Sequence, residues 1–143
     1  MHEIESWIDE AVQRQKIIAR KLPTEEAIQV QNEVTSRYVH ATSPRTWWWH
    51  FKRPVDEYYD RNLVKLLDVV PTKSGLCWLI PDTETEWLPV YEIDIRQVGP
   101  LIDDCPGFEY YVVALDFSWL VVETHHDQYQ LCRESDKLRE VVS

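Results

Sequence analysis

Glu123, His125, His126 and Asp127 lie within five consecutive positions. Carboxylate and imidazole together are the donor set of zinc and manganese sites. On an extended chain alternate residues share a face, so His125 would join Glu123 while His126 points the other way. The chemistry open to such a group is a small metal site or a general base. A polar hairpin tip explains the same residues without chemistry. No HExxH, no HxH and no second histidine cluster accompanies them. The expectation is no resident metal and no cofactor. A metal-dependent hydrolase or small-ligand binder using Glu123, His125 and Asp127 is the alternative.

Nucleophilic catalysis has less to build on. A reactive cysteine needs a nearby base and an orienting carboxylate. Cys77 and Cys132 sit in apolar runs, where thiols are inert, and Cys105 adjoins Asp103 and Asp104, whose charge raises a thiol pKa. No GxSxG occurs, and three glycines in 143 residues leave no Gly-rich phosphate loop. A non-catalytic protein is expected.

Arg45-Thr46-Trp47-Trp48-Trp49-His50-Phe51-Lys52-Arg53 is basic, aromatic and free of acids. Trp47, Trp48 and Trp49 cannot all face one way on a helix or a strand. They form either an aromatic contact patch or part of a core buried on two sides. Single-stranded nucleic acid binds such stacking platforms, which makes Trp47–Arg53 a second alternative. A net charge of −10 opposes it.

The acids are distributed unevenly. Residues 1–80 hold 11 acids and 11 bases, whereas residues 81–110 hold 8 acids and one base, Arg96. Asp82, Glu84, Glu86 and Trp87 form one acidic, aromatic group, with Asp103 and Asp104 nearby in sequence. Asp56, Glu57, Tyr58, Tyr59 and Asp60 form another. Charges of one sign steer the encounter with an oppositely charged protein, and aromatics anchor it. These eleven residues are the expected contacts for a basic partner.

The elements that must position these groups follow from pattern. The chain has the length of one domain, 1–143, with a helical part over 1–40 and mainly strands over 74–133. Ile4, Ile8, Ala11, Ile18 and Leu22 predict an amphipathic helix over 2–22, closed by Pro23, with Gln15 interrupting the stripe. Thr24 reads as the N-cap of a second helix to about residue 39. A third helix is expected from the 55–60 segment through Leu63–Val70 to Pro71. Strands follow over 76–80 and 87–93, the latter pushed toward an edge by Pro89. Asp94 caps a short helix that Gly99-Pro100 should break or delay. Residues 108–133 read as a three-stranded meander around Trp119–Val122, a run apolar enough for burial on both faces. The fold class is α+β: about five antiparallel strands with the N-terminal helices packed on one face.

Three widely spaced cysteines, an acidic N-terminus without an apolar run, and no stretch of 18 apolar residues imply reduced thiols, no signal peptide, no membrane partner and a cytoplasmic location. Seven tryptophans leave a homodimer through an apolar patch open.

Arg45–Trp49 and Trp119–Asp127, with the Phe108–Val113 run, resemble a group of small bacterial proteins. Members look like the immunity proteins that accompany polymorphic or contact-dependent toxins. The SUKH immunity superfamily is a looser likeness, in element order only. The resemblance implies a small acidic antitoxin without catalytic residues. It would occlude a cognate, basic protein toxin through the 56–60 and 82–86 segments.

Overall fold

A computed structural model describes residues 3–40, 47–52, 54–59, 65–85, 87–124 and 128–134. The elements run α1 (Glu3–Gln15), β1 (Ala19–Lys21), α2 (Thr24–Tyr38), a 3-10 turn (Trp47–His50), β2 (Val55–Tyr59), α3 (Leu66–Val69), β3 (Leu76–Pro81), β4 (Tyr91–Asp94), α4 (Ile95–Asp103), β5 (Tyr110–Ala114), β6 (Trp119–Thr124) and β7 (Gln128–Arg133). Among the described residues the seven strands form one sheet in the order β1-β4-β3-β5-β6-β7-β2. Every pairing is antiparallel.

The α+β class holds, with two corrections. The sheet has seven strands instead of about five, and the N-terminal helices lie on opposite faces. On one face α1, α3 and α4 cover Cys77, Leu79, Ile93, Val112, Val121 and Leu131. On the other, α2 and Trp47 cover Ile80, Val90, Tyr111, Val113, Leu120 and Val122. Period-two alternation sends successive residues of β5 and β6 to the two layers, so both strands are buried throughout. Each aliphatic side chain so buried contributes roughly 1.5–3 kcal/mol. The meander therefore forms as the sequence implies.

The helix expected over 2–22 stops at Gln15, the residue that interrupts its apolar stripe. Lys16 takes a left-handed conformation, φ 54°. The chain then straightens into β1, which pairs with β4 through Ala19↔Ile93 and Lys21↔Tyr91. Ile17 becomes the buried residue, and Ile18, which the helical stripe would bury, is 87% exposed. Leu22 N–H donates to Val90 O at 2.9 Å, extending the pairing. α2 buries Ala27, Val30, Val34 and Tyr38 as their spacing requires. Pro23 rather than Thr24 occupies its cap position.

Residues 55–59 do not lead a helix. They form edge strand β2 on β7, with Val55↔Cys132 and Tyr59↔Gln128 in register. Tertiary pairing overrides the helical spacing, and α3 is left with four residues. β4 begins only after Pro89 and lies between β1 and β3, so it is not an edge. α4 runs unbroken through Gly99-Pro100, anchored by buried Ile95, Val98, Leu101 and Ile102.

Asp94 caps α4 as expected, its carboxylate accepting from Arg96 N–H at 2.9 Å. The Arg96 guanidinium adds bonds of 3.0 and 2.8 Å. Those side-chain bonds, then the backbone N–H, pull the Asp94 carboxyl down to about 2. A depressed carboxyl stabilises the fold fully above the ordinary carboxylate range, near pH 4, and the contribution fades as pH falls through about 2. Thermal melts of wild type and Asp94→Ala should therefore differ most at neutral pH and converge as pH drops from about 4 to about 2. A constant gap would mean the cap acts without its charge.

Candidate functional site

β5, β6 and β7 set three polar residues side by side across the sheet. Tyr110 is directly opposite Glu123, and Glu123 is directly opposite Tyr129. Alternation along each strand sends all three to the face that α3 and α4 cover. There they interrupt an apolar layer, with Tyr110 and Tyr129 counted among its buried members. Glu123 is only 4% exposed, Tyr110 1% and Tyr129 6%. Burial pushes the Tyr110 hydroxyl well above its ordinary range, and the Glu123 charge and hydrogen bonding with Glu123 and Tyr129 push it further. Buried polar groups of this kind are kept only where they are hydrogen-bonded.

This row floors a cavity of about 380 Å³ between the sheet and helices α3 and α4. Leu66, Leu67 and Ile102 form apolar walls, Gly99 and Pro100 the α4 side, and Lys65, Arg96 and Asp103 a polar rim. Arg96 is held by Asp94, and Lys65 is exposed. The volume falls at the lower end of the roughly 300–1,000 Å³ of small-ligand pockets.

Of the four residues first considered for a metal, Glu123 belongs to this floor. His125, His126 and Asp127 lie outside the described residues. Among the described residues no group of three or more His, Cys, Asp or Glu is arranged to hold a metal ion. Tyr110 and Tyr129 escaped the sequence reading because their link to Glu123 depends on strand register. Their matching parity within the meander was the available signal.

The expected partner-binding residues gather partly at the same end of the sheet. Asp82 N–H bonds Glu109 O at 2.9 Å, next to the Pro81↔Tyr110 pair. α4 delivers Asp103 to the cavity rim there. Glu84, with φ 60°, and Asp103 are exposed, and Glu84 N–H bonds the Asp82 carboxylate at 3.0 Å. Trp87 is 44% exposed. Other members have local roles. Asp104 pairs with Arg14 at 3.0 Å and accepts from Gln15 at 3.2 Å. Asp56 pairs with Arg133 at 2.8 Å. Tyr58 is half-buried against the core, Glu57 is exposed, and Tyr59 lies in β2. Asp60 and Glu86 lie outside the described residues.

The tryptophan run separates. Trp47 is buried and packs on Tyr111, and Trp48 is half-buried with its backbone N–H bonded to the Tyr111 hydroxyl at 3.3 Å. Trp49 shares the 3-10 turn. Trp47 thus has no face to offer a nucleic-acid base. Burial, then Asp94, raises the Cys77 thiol to about 12. Burial and Asp104 raise Cys105. None of the three cysteines forms a disulfide, and the raised Cys77 and Cys105 thiols are the opposite of activated. Among those residues no helix is long and apolar enough to cross a membrane.

Comparison of the chain with protein-family models, with curated proteins and with solved structures finds no match.

Proposed function

We propose that this chain is an immunity- or antitoxin-type protein that binds a cognate basic protein toxin and neutralises it by occlusion. The observation that carries the reading is the meeting of acids from separate loops at one end of the sheet. Asp82 and Glu84 come from the β3–β4 loop, Asp103 from the end of α4 and Glu109 from the residue just before β5. Half-exposed Trp87 lies in the same β3–β4 loop, so charge for steering and an aromatic anchor come from one segment. A rigid sheet buried on both faces suits such a surface, because the acids then meet the partner without a large ordering cost.

The test is affinity capture from lysate of the source cell with tagged protein, washed at low and then high salt. The reading requires a basic protein that elutes in salt, arrests growth when produced alone and loses that effect when this chain is co-produced. In the Glu84→Lys/Asp103→Lys double variant the association rate with that protein should fall about tenfold or more, with a shallower salt dependence and an unchanged melting temperature. Unchanged affinity in the folded double variant removes this surface from the reading. Retention of nucleic acid or of nothing overturns the toxin partner itself.

A further inference from the structure

Among the described residues four large apolar side chains are exposed, Ile18, Leu76, Trp87 and Leu115. Three of them share one row of the sheet. Leu76 lies directly opposite Asp94 on β4. One step beyond the Ala19↔Ile93 pair, Ile18 reaches the other side of Asp94. One step beyond Cys77↔Ala114, Leu115 reaches the other side of Leu76. The row therefore reads Ile18–Asp94–Leu76–Leu115, in the strand order β1-β4-β3-β5. With roughly 4.8 Å between neighbouring strands, its ends stand about 14 Å apart. Single exposed apolar residues need no explanation, but three in one line form a patch.

The two ends of the row differ in shape. Leu76 and Leu115, with Thr72 and Trp119, line a hollow of about 260 Å³. That is below the roughly 300–1,000 Å³ of small-ligand pockets and suits one branched aliphatic side chain. Ile18 is such a side chain, 87% exposed beside the sheet-edge strand β1. One chain thus carries a knob and a hole that are too far apart to fill each other.

Charge decides what covers them. Asp94, the one acid in the row, caps α4 and is paired with Arg96. In the next row Arg20 pairs with Glu92. Arg20 and Arg96 against Glu92 and Asp94 leave no net charge here, on a chain that carries −10. A basic partner gains nothing from this ground, whereas two copies of the chain, which repel one another elsewhere, can meet on it. In a two-fold contact, if one residue touches a second, the second touches the first. Reversing the row about an axis along the strands sets Ile18 of each copy against Leu115 of the other.

We propose that the Ile18–Leu76–Leu115 row is the contact of a two-fold homodimer, in which Ile18 of each copy enters the hollow beside Leu76 and Leu115 of the other. Asp82 and Glu84 follow the far end of β3, whose six residues span roughly 17–20 Å, so both acidic ends stay open. The proposal does not rest on the toxin partner.

The experiment is sedimentation velocity of the full chain over a concentration series. A patch of this size belongs to the weak class of interfaces, so dimer should accumulate between about 10 μM and 1 mM. Ile18→Lys and Leu115→Lys should each raise the dimer Kd at least tenfold. The Ile18→Lys melting temperature in dilute solution should stay at the wild-type value, because that side chain is almost fully exposed. Oxidation of the Ile18→Cys/Leu115→Cys double variant gives the geometry. The two positions are too distant to bridge within one chain, so reciprocal contact should give covalent dimers and no longer species. A wild-type chain that stays monomeric through the series overturns the proposal. So does a dimer that survives Ile18→Lys, a ladder of oxidised oligomers, or a different protein held through Ile18 by a monomeric chain.

Discussion

Trp47→Ala will lower the unfolding free energy by about 3–5 kcal/mol, the range for emptying a buried aromatic site. The indole is 3% exposed, and its ring lies 4.7 Å from that of Tyr111 at an interplanar angle of 39°. A tilted pair of this kind adds roughly 0.5–1.5 kcal/mol to simple burial. The loss does not stop at the ring. The Tyr111 hydroxyl accepts from Trp48 N–H, so loosening Trp47 also frees the backbone of the 3-10 turn. For a domain of this size the melting temperature should fall by roughly 10 °C or more. Trp87→Ala is the control: that side chain is 44% exposed, and its removal should cost about 1 kcal/mol or less. Urea titration of both variants gives the comparison, with an unchanged slope showing that the denatured state is the same. A Trp47→Ala loss below about 1 kcal/mol would return the tryptophan run to the surface.

That pair of tryptophans also marks the limit of what the chain reveals unaided. Composition makes both equally available for a core or for a contact. What separates them is that Trp47 packs against Tyr111 of β5 in the α2 layer of the core, a contact between distant parts of the chain. The meander, by contrast, was legible, because Trp119–Val122 is apolar without interruption and the Asp116–Ser118 turn is short. Phe117 N–H closes that turn on Ala114 O at 2.9 Å, and the Asp116 carboxylate accepts from Ser118 N–H at 3.0 Å. α2 was legible from its period and the start of α4 from its Asp94 cap. β1 and β2 were not. Each is a short edge strand whose residues also fit a helical stripe, and only the partner strands β4 and β7 decide the matter. Counting strands without those pairings gives too few. It also leaves α1 and α2 on one face, although β1, between them, carries the chain along the sheet edge and lets them pack on opposite faces.

The candidate site was readable by half. Glu123 stood out because it opens a run of carboxylate and imidazole donors, two residues before His125. Its neighbours in sequence, the histidines, drew attention toward a metal. Its neighbours in space are Tyr110 and Tyr129, supplied by register, and Gly99, supplied by a helix that Pro100 had seemed to forbid. α4 tolerates Pro100 because the ring faces outward while four aliphatic residues hold the rest of the helix down.

Gln31→Leu should cost roughly 2–5 kcal/mol, although it places a larger hydrocarbon on the core face of a helix. Gln31 is 2% exposed, and its amide works like a backbone partner for Leu88. Its Nε2 donates to Leu88 O at 2.7 Å and to Ala27 O at 3.0 Å, while its Oε1 accepts from Leu88 N–H at 2.8 Å. Leucine removes both bonds to Leu88 and leaves a buried N–H and a buried C=O without those partners, at about 1–3 kcal/mol each. The apolar gain of the substitution is smaller, since the site is already dry. Gln31→Glu separates the two bonds. It keeps an acceptor for Leu88 N–H but sets an oxygen against Leu88 O, so the buried carboxyl needs its proton in the folded state. A carboxyl whose folded pKa is raised destabilises the protein above that pKa, and the deficit shrinks as pH falls through it. Gln31→Glu should therefore recover toward wild type on acidification, while Gln31→Leu keeps a fixed deficit. Urea midpoints across the acidic range distinguish the two, and parallel curves would mean that the bond to Leu88 O contributes nothing. The consequence reaches the acidic loop, because Leu88 directly follows Trp87. With that anchor gone, exchange of the Leu88 amide should quicken before the rest of the sheet is affected. A protein that presents Glu84 and Trp87 on a fixed frame needs the frame held at this point, and the one buried amide on α2 holds it.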